Sequence, residues 1–135
     1  MSASNVCQRL IKKAWRSYAT DLAEAPQSEG IYAIGFLPGP EPVIYVGQSI
    51  HIRTRLQQYK SQNLQAIDKF VKDQFAQNGG INLFIKWVEV ENSKCLEGKY
   101  LNCMYDKLGY WPRYNLKHGD TCNYVPLRIK CNVKD

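Results

Sequence analysis

The sequence predicts an α+β domain in which a small antiparallel sheet of three strands is flanked by helices. Three observations carry that prediction. Apolar residues recur at helical spacing from Val6 to Leu22 and again from Leu64 onwards. Two β-rich runs, Gly30 to Leu37 and Pro42 to Gly47, flank the turn Pro38-Gly39-Pro40-Glu41. A third run, Ile81 to Val90, alternates Ile81, Leu83, Ile85 and Trp87 on one face.

The first helix is expected within residues 3–24. Val6, Leu10, Ile11, Ala14, Trp15, Tyr18 and Leu22 form its buried stripe, and Arg9, Lys12, Lys13 and Arg16 lie opposite. The two β runs read as a hairpin. Ser49 is the expected cap of a helix from Ile50 to about Lys60. The next helix, Leu64 to Gln77, should bury Leu64, Ile67, Phe70, Val71 and Phe75, with Asn78-Gly79-Gly80 as its left-handed end. Asn92-Ser93 opens a helix running to about Lys107, and Gly109 stops it. The tail, 116–135, reads as mostly irregular, with one more possible strand at Tyr124 to Ile129.

The chain has 135 residues, 44% hydrophobic and 22% charged, which suits one soluble domain with a core of its own. It contains no apolar run long enough to span a membrane. Its start lacks the basic head and apolar stretch of a secretory leader, so an intracellular protein is expected. The cysteines are Cys7, Cys95, Cys103, Cys122 and Cys131. Their odd number, with no C-x-x-C pair and no leader, makes reduced thiols the expectation. Cys122, Cys131 and His118 match no zinc spacing. A net charge of +6 suits a polyanionic partner, and serves solubility equally well.

The hairpin carries Gly30-Ile31-Tyr32 and Tyr45-Val46-Gly47, with 12 residues between the tyrosines. If Leu37 pairs with Pro42, Tyr32 lies opposite Gly47 and Tyr45 opposite Ile34. The two phenols then sit diagonally on one face. A shift of two residues puts them directly opposite, and a slip that changes the parity separates them. Strand tyrosines with apolar bodies and wet tips are the structural alternative. On the following helix, Ile52, Arg55 and Tyr59 share a face. Arg55 and Tyr59 can therefore point back at the sheet tyrosines, and an arginine there can fork two hydrogen bonds to a phosphate.

A GIY, a spacer, a YVG and an arginine eight residues beyond resemble the GIY-YIG endonuclease family. The similarity extends through Glu97, on the helix that Ser93 opens, to Pro112-Arg113-Tyr114-Asn115. It covers roughly residues 30–115. The chain departs from the family in a slightly longer spacer, in Val46 for the usual isoleucine, and in Gln48 where some members have lysine. Asn115 also follows Glu97 at 18 positions, a longer interval than usual.

The resemblance implies a single nuclease domain, 1–135, that hydrolyses DNA phosphodiesters with one divalent cation, Mg2+ or Mn2+. It implies catalytic roles for Tyr32, Tyr45, Arg55, Glu97 and Asn115. Glu97 is the metal ligand, with Asp106 as fallback and Glu89 and Glu91 as remoter choices. Tyr59, Gln48, Arg53, His51 and Lys117 are the expected nucleic-acid contacts, with His51 itself on an exposed turn. RNA remains a possible substrate, and a protein partner or fused domain a possible source of target choice. The alternative implied is a module of the same fold that binds nucleic acid with weakened catalysis.

Overall fold

The computed structural model describes residues 3–91, 93 and 103–115. Its centre is an antiparallel four-stranded sheet in the order β1-β4-β2-β3. The strands are β1 (Arg16–Ser17), β2 (Gly30–Phe36), β3 (Val43–Ser49) and β4 (Leu83–Glu89). The helices are α1 (Ala3–Lys12), α2 (Tyr18–Asp21), α3 (Ile52–Gln58) and α4 (Ala66–Asn78). α1 and the helical segment 103–108 cover one face; α2, α3 and α4 cover the other. Strand periodicity divides β2 between the two layers. Ile31 and Ala33 face α1, whereas Tyr32 and Ile34 face α3.

The hairpin adopts the parity that joins the two tyrosines. Tyr32 pairs with Gly47 and Ile34 with Tyr45. The register then slips between Ile34 and Gly35, so that Gly35 pairs with Val43 and the Phe36 N–H donates to the Pro42 carbonyl. This bulge places Ile44 and Tyr45, neighbours in sequence, in the same core layer.

The expected single N-terminal helix is two helices with a strand between them. Leu10 and Cys7 bury the inner face of α1. Its end is held by the Lys86 ammonium, which donates to the carbonyls of Ile11 and Lys13 at 3.0 and 3.3 Å. The chain then extends so that Arg16 and Ser17 pair with Ile85 and Phe84 as a fourth, edge strand. The Ser17 hydroxyl accepts from the Thr20 N–H and starts α2. One apolar period therefore runs across a backbone break, because Leu10 and Tyr18 serve opposite faces of the sheet.

α3 starts later than expected. β3 continues to Ser49, whose hydroxyl accepts from the His51 N–H. The free N–H groups of Ile52, Arg53 and Thr54 go to Ser28 O, Pro26 O and Gln27 Oε1. The cap is thus supplied by a distant segment that no local signal announces. α4 has a capping box between Gln65 and Asp68, and Gly79 ends it at φ 71°. Leu64 precedes that box and is 80% exposed, which corrects its expected burial. Ile81 lies before β4 begins and is likewise exposed.

Met104 packs with Cys7 and Leu10, and Gly109 stops the segment 103–108 at φ 81°. Cys7 and Cys103 form a disulfide across a sequence separation of 96. The reduced-thiol expectation is corrected for this pair. Two elements far apart in sequence share one layer, and cysteine spacing does not report that. The tail 116–135, with the possible strand at 124–129 and the residues His118, Cys122 and Cys131, lies outside the described residues. No helix among the described residues is long and apolar enough to cross a membrane.

Candidate active site

The glycine of each half-motif has a steric reason. A Cβ on Gly30 would lie 2.2 Å from the Val88 carbonyl oxygen and 2.9 Å from Ile52 Cδ1. Close approach of β4 and of α3 requires its absence. A Cβ on Gly47 would lie 2.5 Å from the Tyr32 hydroxyl and 2.8 Å from Tyr45 Cε2. The Tyr32 ring therefore lies across β3 in space that Gly47 leaves empty.

That placement brings three phenols together. The ring centroids are 6.4 Å apart for Tyr32 and Tyr45, 6.2 Å for Tyr32 and Tyr59, and 5.9 Å for Tyr45 and Tyr59. The hydroxyls of Tyr32 and Tyr59 are 2.6 Å apart and share a hydrogen bond. Tyr59 also bonds the Tyr45 side chain. Tyr32 and Tyr59 are buried, whereas Tyr45 is half-buried.

Arg55 covers the open side. Its Cζ stands 4.4 Å from the Tyr59 ring centroid, a cation–π contact. Its Nη1 reaches Gln58 Oε1 at 3.3 Å and Gln62 Oε1 at 3.5 Å. Burial tends to lower its pKa. The negative potential of Tyr59, Tyr32, Tyr45 and Asp68 outweighs that and raises it above the ordinary arginine value. Burial, then the neighbouring Tyr32, pushes the Tyr59 phenol far above the usual range, against the lowering effect of Arg55. Tyr59 therefore keeps its proton at neutral pH.

Asn115 belongs to the same neighbourhood through the backbone. Its Oδ1 accepts from the Val46 N–H at 2.9 Å and its Nδ2 donates to the Val46 carbonyl at 2.7 Å. The Tyr114 N–H donates to the Ile44 carbonyl. Residues 114 and 115 thereby close the outer edge of β3 beside Tyr45.

The other expected contacts are elsewhere. Gln48 accepts from the Ser93 hydroxyl, which also donates to Glu29, and its strand partner Ile31 faces the α1 layer. Arg53 donates through Nε to the Ala25 carbonyl at 2.6 Å and braces the segment that caps α3. His51 is exposed, with Nδ1 3.2 Å from the Gln27 carbonyl. Asp106 is exposed on the segment whose Met104 packs in the α1 layer, across the sheet from the phenols. Glu89 accepts from the Ser28 hydroxyl, and Glu91 is exposed. Glu97 and Lys117 lie outside the described residues.

Sequence reasoning missed Gln58, Gln62, Tyr18 and Asp68. The two glutamines were legible as residues three and seven beyond Arg55, on its own face. Tyr18, fully buried, donates its hydroxyl to the Leu56 carbonyl and so fixes α3 from beneath. Only tertiary packing reveals it.

The fold is similar to the N-terminal GIY-YIG endonuclease domain of UvrC from Thermotoga maritima. The magnesium-bound structure of that domain gives a TM-score of 0.48 at 19% identity and covers 73% of this chain and 96% of its own. Two point-mutant structures, each bound to the catalytic divalent cation, give 0.48 at 20% identity, covering 74% of this chain and 96% of theirs. No protein-family profile matches the chain, and no curated protein matches it significantly.

Proposed function

We propose that this chain is a single-domain, metal-dependent endonuclease that hydrolyses DNA phosphodiester bonds, with residues 30–115 as its catalytic core. The observation that carries the proposal is the three-phenol cluster under Arg55. Two strands and a helix converge to build it on one face of the sheet. A structural tyrosine needs neither the empty site at Gly47 nor a guanidinium held beside it.

Three tasks face the reaction: a nucleophile, stabilised charge on the phosphoryl oxygens, and a leaving alkoxide. Arg55 meets the second. It stays cationic at every accessible pH, and it offers its fork of donors where charge develops. Tyr45 is the half-buried phenol and therefore the one that meets solvent, so it orients the attacking water. Tyr59 keeps its proton and, through its hydrogen bonds with both, fixes the hydroxyls of Tyr32 and Tyr45. Asn115 positions the site by holding Val46, the neighbour of Tyr45.

The reading includes a divalent cation, which would act as a Lewis acid on the phosphate and the leaving oxygen. Among the described residues no cluster of three or more His, Cys, Asp or Glu could hold a metal. Asp68 caps α4 through the Leu64 and Gln65 N–H groups, while Glu29 and Glu89 hold serine hydroxyls. These donors do not make a magnesium site. Glu97 is the ligand that this reading requires, with waters completing the shell.

Burial and mutual hydrogen bonding of Tyr32 and Tyr59 favour a second reading, in which the cluster is a rigid platform that binds nucleic acid without cutting it. A plasmid-nicking assay in magnesium or manganese separates the two. Nicking that needs the metal and is lost in Arg55→Ala and Glu97→Ala supports the nuclease. Binding without nicking, on duplex, branched and single-stranded substrates alike, supports the platform.

A further inference from the structure

Beyond the phenol cluster, the same layer continues into an open groove at the hairpin end. The groove has a volume of about 230 Å³ and is lined by Phe36, the Pro38-Gly39-Pro40-Glu41 loop, Val43, Ile44 and Arg113. It is smaller than the roughly 300–1,000 Å³ of a pocket for a drug-sized ligand, so it suits one ring system. Its floor runs into an aromatic ladder. Phe36 meets Phe70 edge-on at 5.4 Å, and Phe70 meets Tyr114 at 5.3 Å. The exposed guanidinium of Arg113 stands 5.2 Å from the ring centroids of both Phe70 and Tyr114.

We infer that this groove receives one unpaired base of a nucleic-acid strand, stacked against Arg113 and the apolar wall, and that the substrate is therefore branched, flapped or single-stranded. The inference rests on the nuclease reading and names the substrate class of that same site. A planar cation on aromatic rings beside a small apolar wall is the surface on which single-stranded bases stack. Glu41 at the rim decides between base and phosphate. A carboxylate repels a phosphate but accepts hydrogen bonds from a base amino group. Position agrees: Ile44 in the groove is the neighbour of Tyr45 on β3 and lies in the same layer. A paired base cannot enter, because the groove admits a single ring system from its open side.

The test is fluorescence anisotropy in EDTA, so that binding is read without cutting. The probes are a blunt duplex and the same duplex with a single-stranded flap. A flap carrying 2-aminopurine reports stacking. The wild-type chain is compared with Arg113→Ala and with Arg113→Lys, which keeps the charge and loses the plane. The expected result is a roughly tenfold loss of flap affinity in both variants, with blunt-duplex affinity restored by lysine. The 2-aminopurine quench should disappear in both. Equal losses on the two probes, or full recovery of flap affinity by lysine, would overturn the inference, as would failure of the wild type to bind either probe. A parallel nicking assay in magnesium keeps the two readings apart. Flap preference that needs Arg113 without nicking removes the nuclease and leaves the base site. Nicking with no flap preference removes the base site and leaves the nuclease.

Discussion

Replacing Gly47 by alanine tests whether the second half-motif glycine exists to seat Tyr32. The added Cβ would stand 2.5 Å from the Tyr32 hydroxyl, 2.6 Å from Tyr32 Cζ and 2.8 Å from Tyr45 Cε2. Tyr45 is half-buried and its ring edge can swing outwards. Tyr32 has no such freedom, being 1% exposed and bonded to the Tyr59 hydroxyl. Overpacking of a rigid core side chain costs about 1–3 kcal/mol. Loss of the buried phenol–phenol bond adds about 1 kcal/mol. The sum, about 2–4 kcal/mol, corresponds to a fall in Tm on the order of 10 °C for a domain of this size. Urea denaturation measures it directly. The control is Tyr32→Leu, which removes the ring tip that the new methyl would strike. In that background Gly47→Ala should cost less than about 1 kcal/mol, because alanine is itself better than glycine in a strand by up to about 1 kcal/mol. A double variant clearly less destabilised than the sum of the two single variants is the expected signature of this double-mutant cycle. If alanine costs the same beside tyrosine and beside leucine, steric seating of Tyr32 is not what glycine supplies, and the argument for a constructed site fails.

Alkaline titration should destabilise the fold. Burial raises the phenols of Tyr18 and Tyr59, so both keep their protons in the folded state after the unfolded chain ionises near pH 10. The unfolded state then binds fewer protons, and stability falls as pH rises above about 10, by up to about 1.4 kcal/mol per unit for each group. Lys86, lowered by burial, acts in the opposite sense in a window just below the ordinary lysine value. Urea midpoints that stay flat from pH 9 to 11 would contradict this, those pH values being about one unit either side of the free phenol. Asn115→Ala leaves both backbone groups of Val46 without their edge partner, and should cost about 1–3 kcal/mol with loss of hydrogen-exchange protection at the Val46 amide. Cys103→Ser opens the long Cys7–Cys103 loop and should cost about 2–4 kcal/mol. Alkylation of the unreduced protein, followed by mass spectrometry, should leave Cys7 and Cys103 unmodified. Complete alkylation would restore the reduced-thiol expectation.

Local rules made the sheet tyrosines and the helix arginine legible. A two-residue period and a guessed turn pairing fix only parity, yet parity alone decides whether Tyr32 and Tyr45 share a face. The actual turn pairing is one residue out from the assumed one, and the bulge after Ile34 absorbs the difference. The tyrosine register survives because the slip falls beyond it. The N-terminal segment departs from a single helix for a related reason. Helical period cannot see that Leu10 and Tyr18 belong to opposite layers, nor that a two-residue strand turns the chain between them. Ser17 was a visible cap signal, but one that competes with an unbroken apolar stripe.

Nearness in sequence was a poor guide to the rest of the site. Gln48, His51 and Arg53 sit within a few residues of Tyr45 and Arg55. Gln48 nevertheless takes the opposite face of β3 by strand alternation, and Arg53 takes the flank of α3 that braces residues 25 and 26. Asn115 is the converse case. It is 70 positions beyond Tyr45 in the sequence, yet it bonds the next residue of the strand through both amide atoms. An asparagine is suited to that place because it alone, with glutamine, offers a donor and an acceptor in the geometry of a peptide group. It completes the edge of β3 as a further strand would. The role that the structure gives it is therefore to hold the strand that carries Tyr45, and a side chain of the same shape without the donor should fail there. Asn115→Asp keeps the acceptor for the Val46 N–H but sets a second oxygen against the Val46 carbonyl. It should lose stability like the alanine variant, and an aspartate that behaved as wild type would show that the Val46 carbonyl does not depend on this donor.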